Sequence, residues 1–150
     1  MTATAPSTIA FAEPAASPEL AHQHFASRLA FECDATDVAH DLRHGVATYT
    51  IIDARSAESY ARGHIPGAVN LPPSRINQTT VSELPAGPLV VYCWGPACNG
   101  AHRAAVLLTE HDRQVKEMLG GFGYWIREGQ PIEGSDAAAL AELAEPALVG

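Results

Sequence analysis

Basic residues are scarce in this chain: nine Lys and Arg stand against 17 Asp and Glu, and no two of the nine are adjacent. A formal net charge of −8 without a basic stripe excludes nucleic acid and an anionic membrane surface as expected partners. Any anion the protein binds must be captured locally. Cysteine is scarce too, and three in 150 residues are too few for a disulfide framework, which points to reduced, reactive thiols. No stretch approaches the ~20 apolar residues of a transmembrane helix. Residues 1–17 lack both a positive segment and a sustained apolar core, so no signal peptide is expected and the cytoplasm is the expected location.

What is present suits one compact α/β domain. The chain is 47% apolar, long enough to bury a core, and leaves no room for a second domain. Residues 1–17, rich in Ala, Thr, Ser and Pro, read as a flexible N-terminal arm. The domain is expected over 18–134. It begins with a helix over 18–27, with Ser17 as N-cap and Pro18 at the first helical position. A short edge strand is expected at Leu29–Glu32, then a helix capped by Asp34 or Thr36 and stopped by Gly45. The β-branched and aromatic run from Thr48 delivers Asp53 and Arg55 to a strand end. Ser56 caps a short helix over Ala57–Arg62, and Gly63–Gly67 turns into a strand over Ala68–Leu71. Val115–Leu119 reads as the last strand. Gly120-Gly121 then leads into a helix carrying Tyr124, Trp125 and Ile126, and residues 135–150 form a short C-terminal helix or tail. Strands alternating with helices predict a central, mostly parallel sheet of about five strands covered on both faces.

The chemistry is concentrated after Leu89-Val90-Val91-Tyr92, a buried-type strand that runs into Cys93 and then into Trp94-Gly95-Pro96-Ala97-Cys98-Asn99-Gly100 and a helix bearing Ala101, Ala104, Ala105 and Leu108. A helix start presents unpaired N–H groups and the positive end of the peptide dipoles, both of which favour a thiolate or an anionic substrate. Cys93 is therefore the expected nucleophile. Cys98, five positions on in the same loop, is a candidate resolving thiol for a persulfide or sulfenate on Cys93; otherwise it is a small inert loop residue. Cys33 has no such loop around it and is expected to be inert.

Asp53-Ala54-Arg55-Ser56, followed by Arg62-Gly63-His64-Ile65-Pro66-Gly67-Ala68, resembles the N-terminal signature of rhodanese-like domains. Gly120-Gly121 with Trp125 resembles their C-terminal signature, and Cys93 stands where that family keeps its catalytic cysteine. The resemblance covers roughly Leu29 to Glu133. It implies a single rhodanese-like domain that takes a sulfane sulfur from a donor such as thiosulfate, holds it as a Cys93 persulfide and passes it to cyanide or another thiol. A small anionic donor and a thiol, cyanide or protein acceptor are then the partners, with no metal and no organic cofactor. The resemblance also implies that the backbone amides of Trp94 to Gly100 cradle the thiolate, the donor and the persulfide, offsetting an ordinary thiol pKa near ~8.5. Two departures stand out. The loop is longer than usual, and it lacks arginine until Arg103, which argues against a phosphatase or arsenate reductase because a phosphoryl group needs a bidentate clamp. The loop also carries Cys98, so the alternative to catalysis is a redox-sensing or docking module built on the Cys93/Cys98 pair.

The remaining polar residues carry competing readings. Asp53 and Arg55 either face substrate or, as favoured here, pair to hold the strand-end turn. His64 is expected to orient a loop rather than shuttle protons. His102 and Arg103 would steer an anionic donor or form an ordinary solvated helix face. Trp94 would wall the pocket, whereas Trp125 reads as core. His22 and His24 do not share a helix face, so no metal site is expected there.

Overall fold

The computed structural model describes residues 7–145. The chain divides into two compact units, Met1–Ala30 and Phe31–Gly150. In the first, Ser17 Oγ accepts a hydrogen bond from the Leu20 N–H (3.3 Å) and opens α1 (Pro18–Phe31). The helix buries no residue and exposes Leu20, Phe25, Leu29 and Phe31. The first six residues of the expected arm lie outside the described residues.

The expected strand at Leu29–Glu32 is corrected: α1 continues through Phe31, and β1 is only Glu32–Asp34. A short apolar run fits either period. Leu29, Ala30 and Phe31 have no β-branch to resist the helix already under way, so helix wins.

In the second unit Asp34 is the N-cap of α2 (Ala35–His44). Its side chain accepts from the Asp37 N–H (2.9 Å) while Asp37 reaches back to the Asp34 N–H (3.2 Å). Gly45, at φ 65°, ends the helix in the left-handed conformation that glycine adopts without strain. Then follow β2 (Thr50–Asp53), α3 (Ala57–Arg62), β3 (Val69–Asn70) and, after a 3-10 turn at Pro73–Arg75, α4 (Gln78–Ser82). The chain continues through β4 (Leu89–Tyr92), α5 (Gly100–Glu110), β5 (Val115–Leu119), α6 (Gly121–Arg127) and α7 (Ala137–Ala141). The C-terminal helix expected within 135–150 is a single turn among the described residues, and positions 146–150 lie outside them.

The sheet has five strands in the order β1-β5-β4-β2-β3, and all its pairings are parallel. β4 is central, and its four residues are all buried, as its uninterrupted apolar run predicts for a strand covered on both sides. Alternation along it decides what faces where. Val90 and Tyr92 join a core with Val38, Met118, Phe122 and Trp125, whereas Leu89, Val91 and Cys93 join one with Ala101, Ala104 and Leu108 of α5. The site is therefore set by one strand. Its Cys93 end faces α5, and its Tyr92 side chain lies on the opposite face. No helix among the described residues is long and apolar enough to cross a membrane.

Candidate functional site

Cys93 sits at the carboxyl end of the central strand, 7% exposed, at the sheet edge where sites form in parallel α/β folds. The loop after it is anchored at both ends. The Phe122 N–H donates to the Cys93 carbonyl (2.8 Å) and the Gly123 N–H to the Trp94 carbonyl (2.7 Å), so the start of α6 lies directly against the loop's first residues. That approach requires Gly121. A Cβ there would stand 2.6 Å from the Cys93 carbonyl oxygen and 2.8 Å from the Gly95 nitrogen, and the residue adopts φ 62°. Gly120-Gly121 is thus a close backbone contact with the cysteine loop, a reason invisible until the two segments meet. Further round the loop, the Cys98 N–H donates to the Gly95 carbonyl (3.0 Å) and turns the chain so that Cys98 Sγ touches Cys93 Sγ at 2.6 Å. Gly100, the first residue of α5, leaves room for the pair: a Cβ there would stand 2.7 Å from Cys93 Sγ.

The two thiols have unequal electrostatics. Burial, followed by the Cys98 hydrogen bond, pushes the Cys93 thiol up to about 11, while the Trp94 N–H pulls the other way. Burial also acts to raise Cys98. There it is outweighed by the hydrogen bond from Cys93 and by the Gly100 and Trp94 N–H groups, so the Cys98 thiol lies below its ordinary value. The thiolate expected on Cys93 therefore forms first on Cys98, with Cys93 S–H as its donor. The cradle of amides at the helix start does stabilise a negative sulfur, but the more exposed of the pair receives most of that benefit. Cys33 is pushed up to about 11 by burial and then by Asp37.

A labelling experiment follows from that inequality. With iodoacetamide and peptide mass mapping across pH, Cys98 is expected to react first, below the ordinary thiol range, and Cys93 and Cys33 only as pH nears about 11. In Cys98→Ser the hydrogen bond and the charge of the neighbouring sulfur, both of which raise Cys93, are gone, so the Cys93 midpoint moves down while burial holds it above the ordinary value. Labelling of Cys93 or Cys33 ahead of Cys98 at neutral pH contradicts this electrostatic order.

Beneath the loop lies a buried ion pair. Arg55 Nη2 is 2.7 Å from Asp53 Oδ2, and the Arg55 N–H and Nε–H also reach Asp53 Oδ1 at 2.9 and 3.1 Å. Tyr92 donates its hydroxyl to Asp53 Oδ2 (2.5 Å), a bond set up by the β2–β4 register that aligns Asp53 with Tyr92. Arg55 also donates to the Gly63 carbonyl (2.5 Å), and its guanidinium carbon lies 4.4 Å from the Trp94 ring and 4.1 Å from the Phe122 ring. The guanidinium thus ties the Asp53 turn, the Gly63 turn and the tryptophan of the cysteine loop into one unit. From sequence Tyr92 reads only as strand, because its partner becomes visible only once strand register is known.

The other expected site residues scatter. His64 donates its Nδ1–H to the Tyr60 carbonyl (2.7 Å), stacks on the Tyr60 ring and faces Glu133 at 3.6 Å, so it clamps the turn after α3 to the chain beyond α6. His102 pairs with Glu117 of β5 (2.7 Å) and Arg103 donates to Asn99 Oδ1 (3.2 Å). Trp94 is 47% exposed and packs edge-on to Phe122, whereas Trp125 is fully buried and donates its indole N–H to the Pro131 carbonyl (2.7 Å).

Fold and site together define a class: a parallel α/β domain whose central strand presents a cysteine to a loop of backbone amides at a helix start. The family model for the rhodanese-like domain matches residues 34–128, and the chain belongs to that family. Among solved structures it is similar to the BH2092 protein from Bacillus halodurans (37% identity, TM-score 0.78, covering 81% of this chain and 90% of that one). It is also similar to the rhodanese-like domain of the Alr3790 protein from Anabaena sp. (30% identity, TM-score 0.63, covering 70% and 80%). A curated relative, the HTH-type transcriptional regulator Rv0324 of Mycobacterium tuberculosis, is 32% identical over 84 residues, which are 56% of this chain and 37% of that protein. The chain thus spans well under half the length of that regulator.

Proposed function

We propose that the protein is a sulfurtransferase that carries a sulfane sulfur as a persulfide on Cys93. The observation that carries this reading is the cysteine at the end of the central strand, followed by a loop folded back onto its own sulfur and a helix start beyond it. In the first half-reaction a Cys93 thiolate attacks the outer sulfur of a small anionic donor such as thiosulfate, and sulfite leaves with the bonding pair. A thiophilic acceptor then takes the outer sulfur and returns the cysteine. Because Cys98 Sγ touches Cys93 Sγ, its thiolate is placed to take the Cys93 proton as the attack begins. The developing negative charge is met by the N–H groups of Trp94 and Gly100, and Arg103 at the first turn of α5 supplies positive charge for an incoming anion. The proposed acceptors are cyanide in the test tube and a small or protein thiol in the cytoplasm, where thiols stay reduced.

Pre-reduced Cys98→Ser protein, which has no second thiol to compete for the persulfide, is expected to yield thiocyanate in repeated turnovers when supplied with thiosulfate, or with a small organic persulfide, and then with cyanide. No thiocyanate above the protein-free rate from either donor overturns the reading. A second reading, a redox-sensing module, is favoured by the same sulfur contact and by the regulator among the relatives. It predicts Cys93–Cys98 oxidation without turnover.

A further inference from the structure

A single-cysteine sulfurtransferase needs nothing beside its persulfide except an acceptor, yet this chain sets a second sulfur against the first. We propose that Cys98 is a second reacting thiol, which attacks the inner sulfur of the Cys93 persulfide, closes a Cys93–Cys98 disulfide and expels the transferred sulfur as hydrosulfide. This inference rests on the persulfide reading above and changes its product from a sulfurated acceptor to free sulfide.

Three features of the loop carry it. Cys98 Sγ is 2.6 Å from Cys93 Sγ, the atom that becomes the inner sulfur once the outer one is attached. Attack from Cys98 therefore meets the inner sulfur first, whereas an external acceptor reaches the outer one. Gly100 is the only residue type that leaves the sulfurs together, since a Cβ at that position would stand 2.7 Å from Cys93 Sγ and 3.5 Å from Cys98 Sγ. The hydrogen bond from the Cys98 N–H to the Gly95 carbonyl (3.0 Å) closes the turn that brings the second cysteine back, so the approach is built into the loop's own backbone. Cys98 is also the more exposed and the more readily ionised of the two, as an attacking thiol must be.

The step balances without an outside oxidant. The Cys98 thiolate forms the Sγ–Sγ bond, the bond between Cys93 Sγ and the outer sulfur breaks, and the outer sulfur departs with that electron pair and takes up a proton. The sulfane sulfur is reduced to sulfide, and the two cysteine sulfurs are oxidised to a disulfide. Resetting the pair takes two electrons from a dithiol reductant, which attacks the more exposed Cys98 sulfur through a mixed disulfide.

The test is a single turnover of the full chain, pre-reduced, freed of reductant, kept from air and given thiosulfate, with sulfite, sulfide and intact mass followed. The wild type is expected to release sulfide in an amount equal to the sulfite and to end two hydrogens lighter, with the Cys93 and Cys98 peptides joined. Cys98→Ser, which lacks the thiolate that takes the Cys93 proton, is expected to release sulfite more slowly than wild type, to release no sulfide, and to stop one sulfur heavier. Wild type that retains the added sulfur on Cys93 and releases no sulfide overturns the proposal and leaves the persulfide reading standing; an added sulfur found on Cys98 overturns it as well. Failure of both proteins to take up sulfur, from thiosulfate or from a small organic persulfide, overturns the sulfurtransferase reading itself.

Discussion

Asp53→Ala is expected to destabilise the domain by roughly 3–5 kcal/mol, the range for removing one partner of a buried ion pair. The side chains of Asp53 and Arg55 are 0% and 1% exposed, so the guanidinium left behind has no water to turn to. One of its nitrogens, Nη1, already lacks a hydrogen-bond partner, and Tyr92 would lose its acceptor at the same moment. In a domain of this size that loss corresponds to a fall in Tm of roughly 10 °C. Replacing both members of the pair by apolar residues of similar volume is expected to cost less than Asp53→Ala alone, because no charge is then stranded. Thermal unfolding followed by circular dichroism checks both variants. A single variant within about 1 kcal/mol of wild type contradicts the account of a desolvated pair, since that is the range of exposed ion pairs.

The second large effect is on chemistry rather than on stability. Cys93→Ala is expected to reduce sulfur transfer to cyanide to the protein-free rate, because the atom that would carry the persulfide is gone. The fold should tolerate the change. Truncating this one buried sulfur costs about 1 kcal/mol, near the small end of core truncations, and the carbonyl of Cys93 still accepts from Phe122 because that bond is to the backbone. Cys33→Ala serves as the control and is expected to keep the wild-type rate, its half-buried thiol on β1 being hydrogen-bonded to the Glu117 carbonyl (3.8 Å). Turnover retained by Cys93→Ala with an intact fold contradicts the assignment of the nucleophile.

These two effects sit at different depths of legibility. The run Leu89 to Tyr92 reads as a doubly covered strand from its residues alone, and the glycines and small residues after Cys93 read as a loop entering a helix. The order of strands and helices was likewise visible, since each carries its own period and caps, such as Asp34 before α2 and Ser56 before α3. What could not be read was anything decided by register. The Tyr92 hydroxyl meets Asp53 only because β2 and β4 align these positions, and His102 meets Glu117 only because α5 packs beside β5. Leu29 to Phe31 failed for a different reason: three apolar residues fit both periods, and the helix they continue begins too far upstream for local pattern to weigh it.

The thiols show the same division. Spacing placed Cys93 and Cys98 in one loop and so made an approach of the sulfurs foreseeable. Which of them ionises first was not foreseeable, because it turns on burial: strand alternation points Cys93 inward against α5, and the loop leaves Cys98 nearer the surface. A helix start favours whichever sulfur its amides reach, and both reach the pair. The exposed member gains the charge. In the proposed sulfur transfer the Cys98 thiolate speeds loss of the Cys93 proton without being required for it, which gives the second cysteine a part even in a simple transfer.

The most direct test of the central claim is to find the sulfur. Cys98→Ser protein, loaded with thiosulfate or a small organic persulfide and digested under conditions that preserve persulfides, is predicted to carry one added sulfur on the peptide containing Cys93 and to lose it when cyanide is added before digestion. Added sulfur on Cys33, or none on the Cys93 peptide from either donor, would contradict the account.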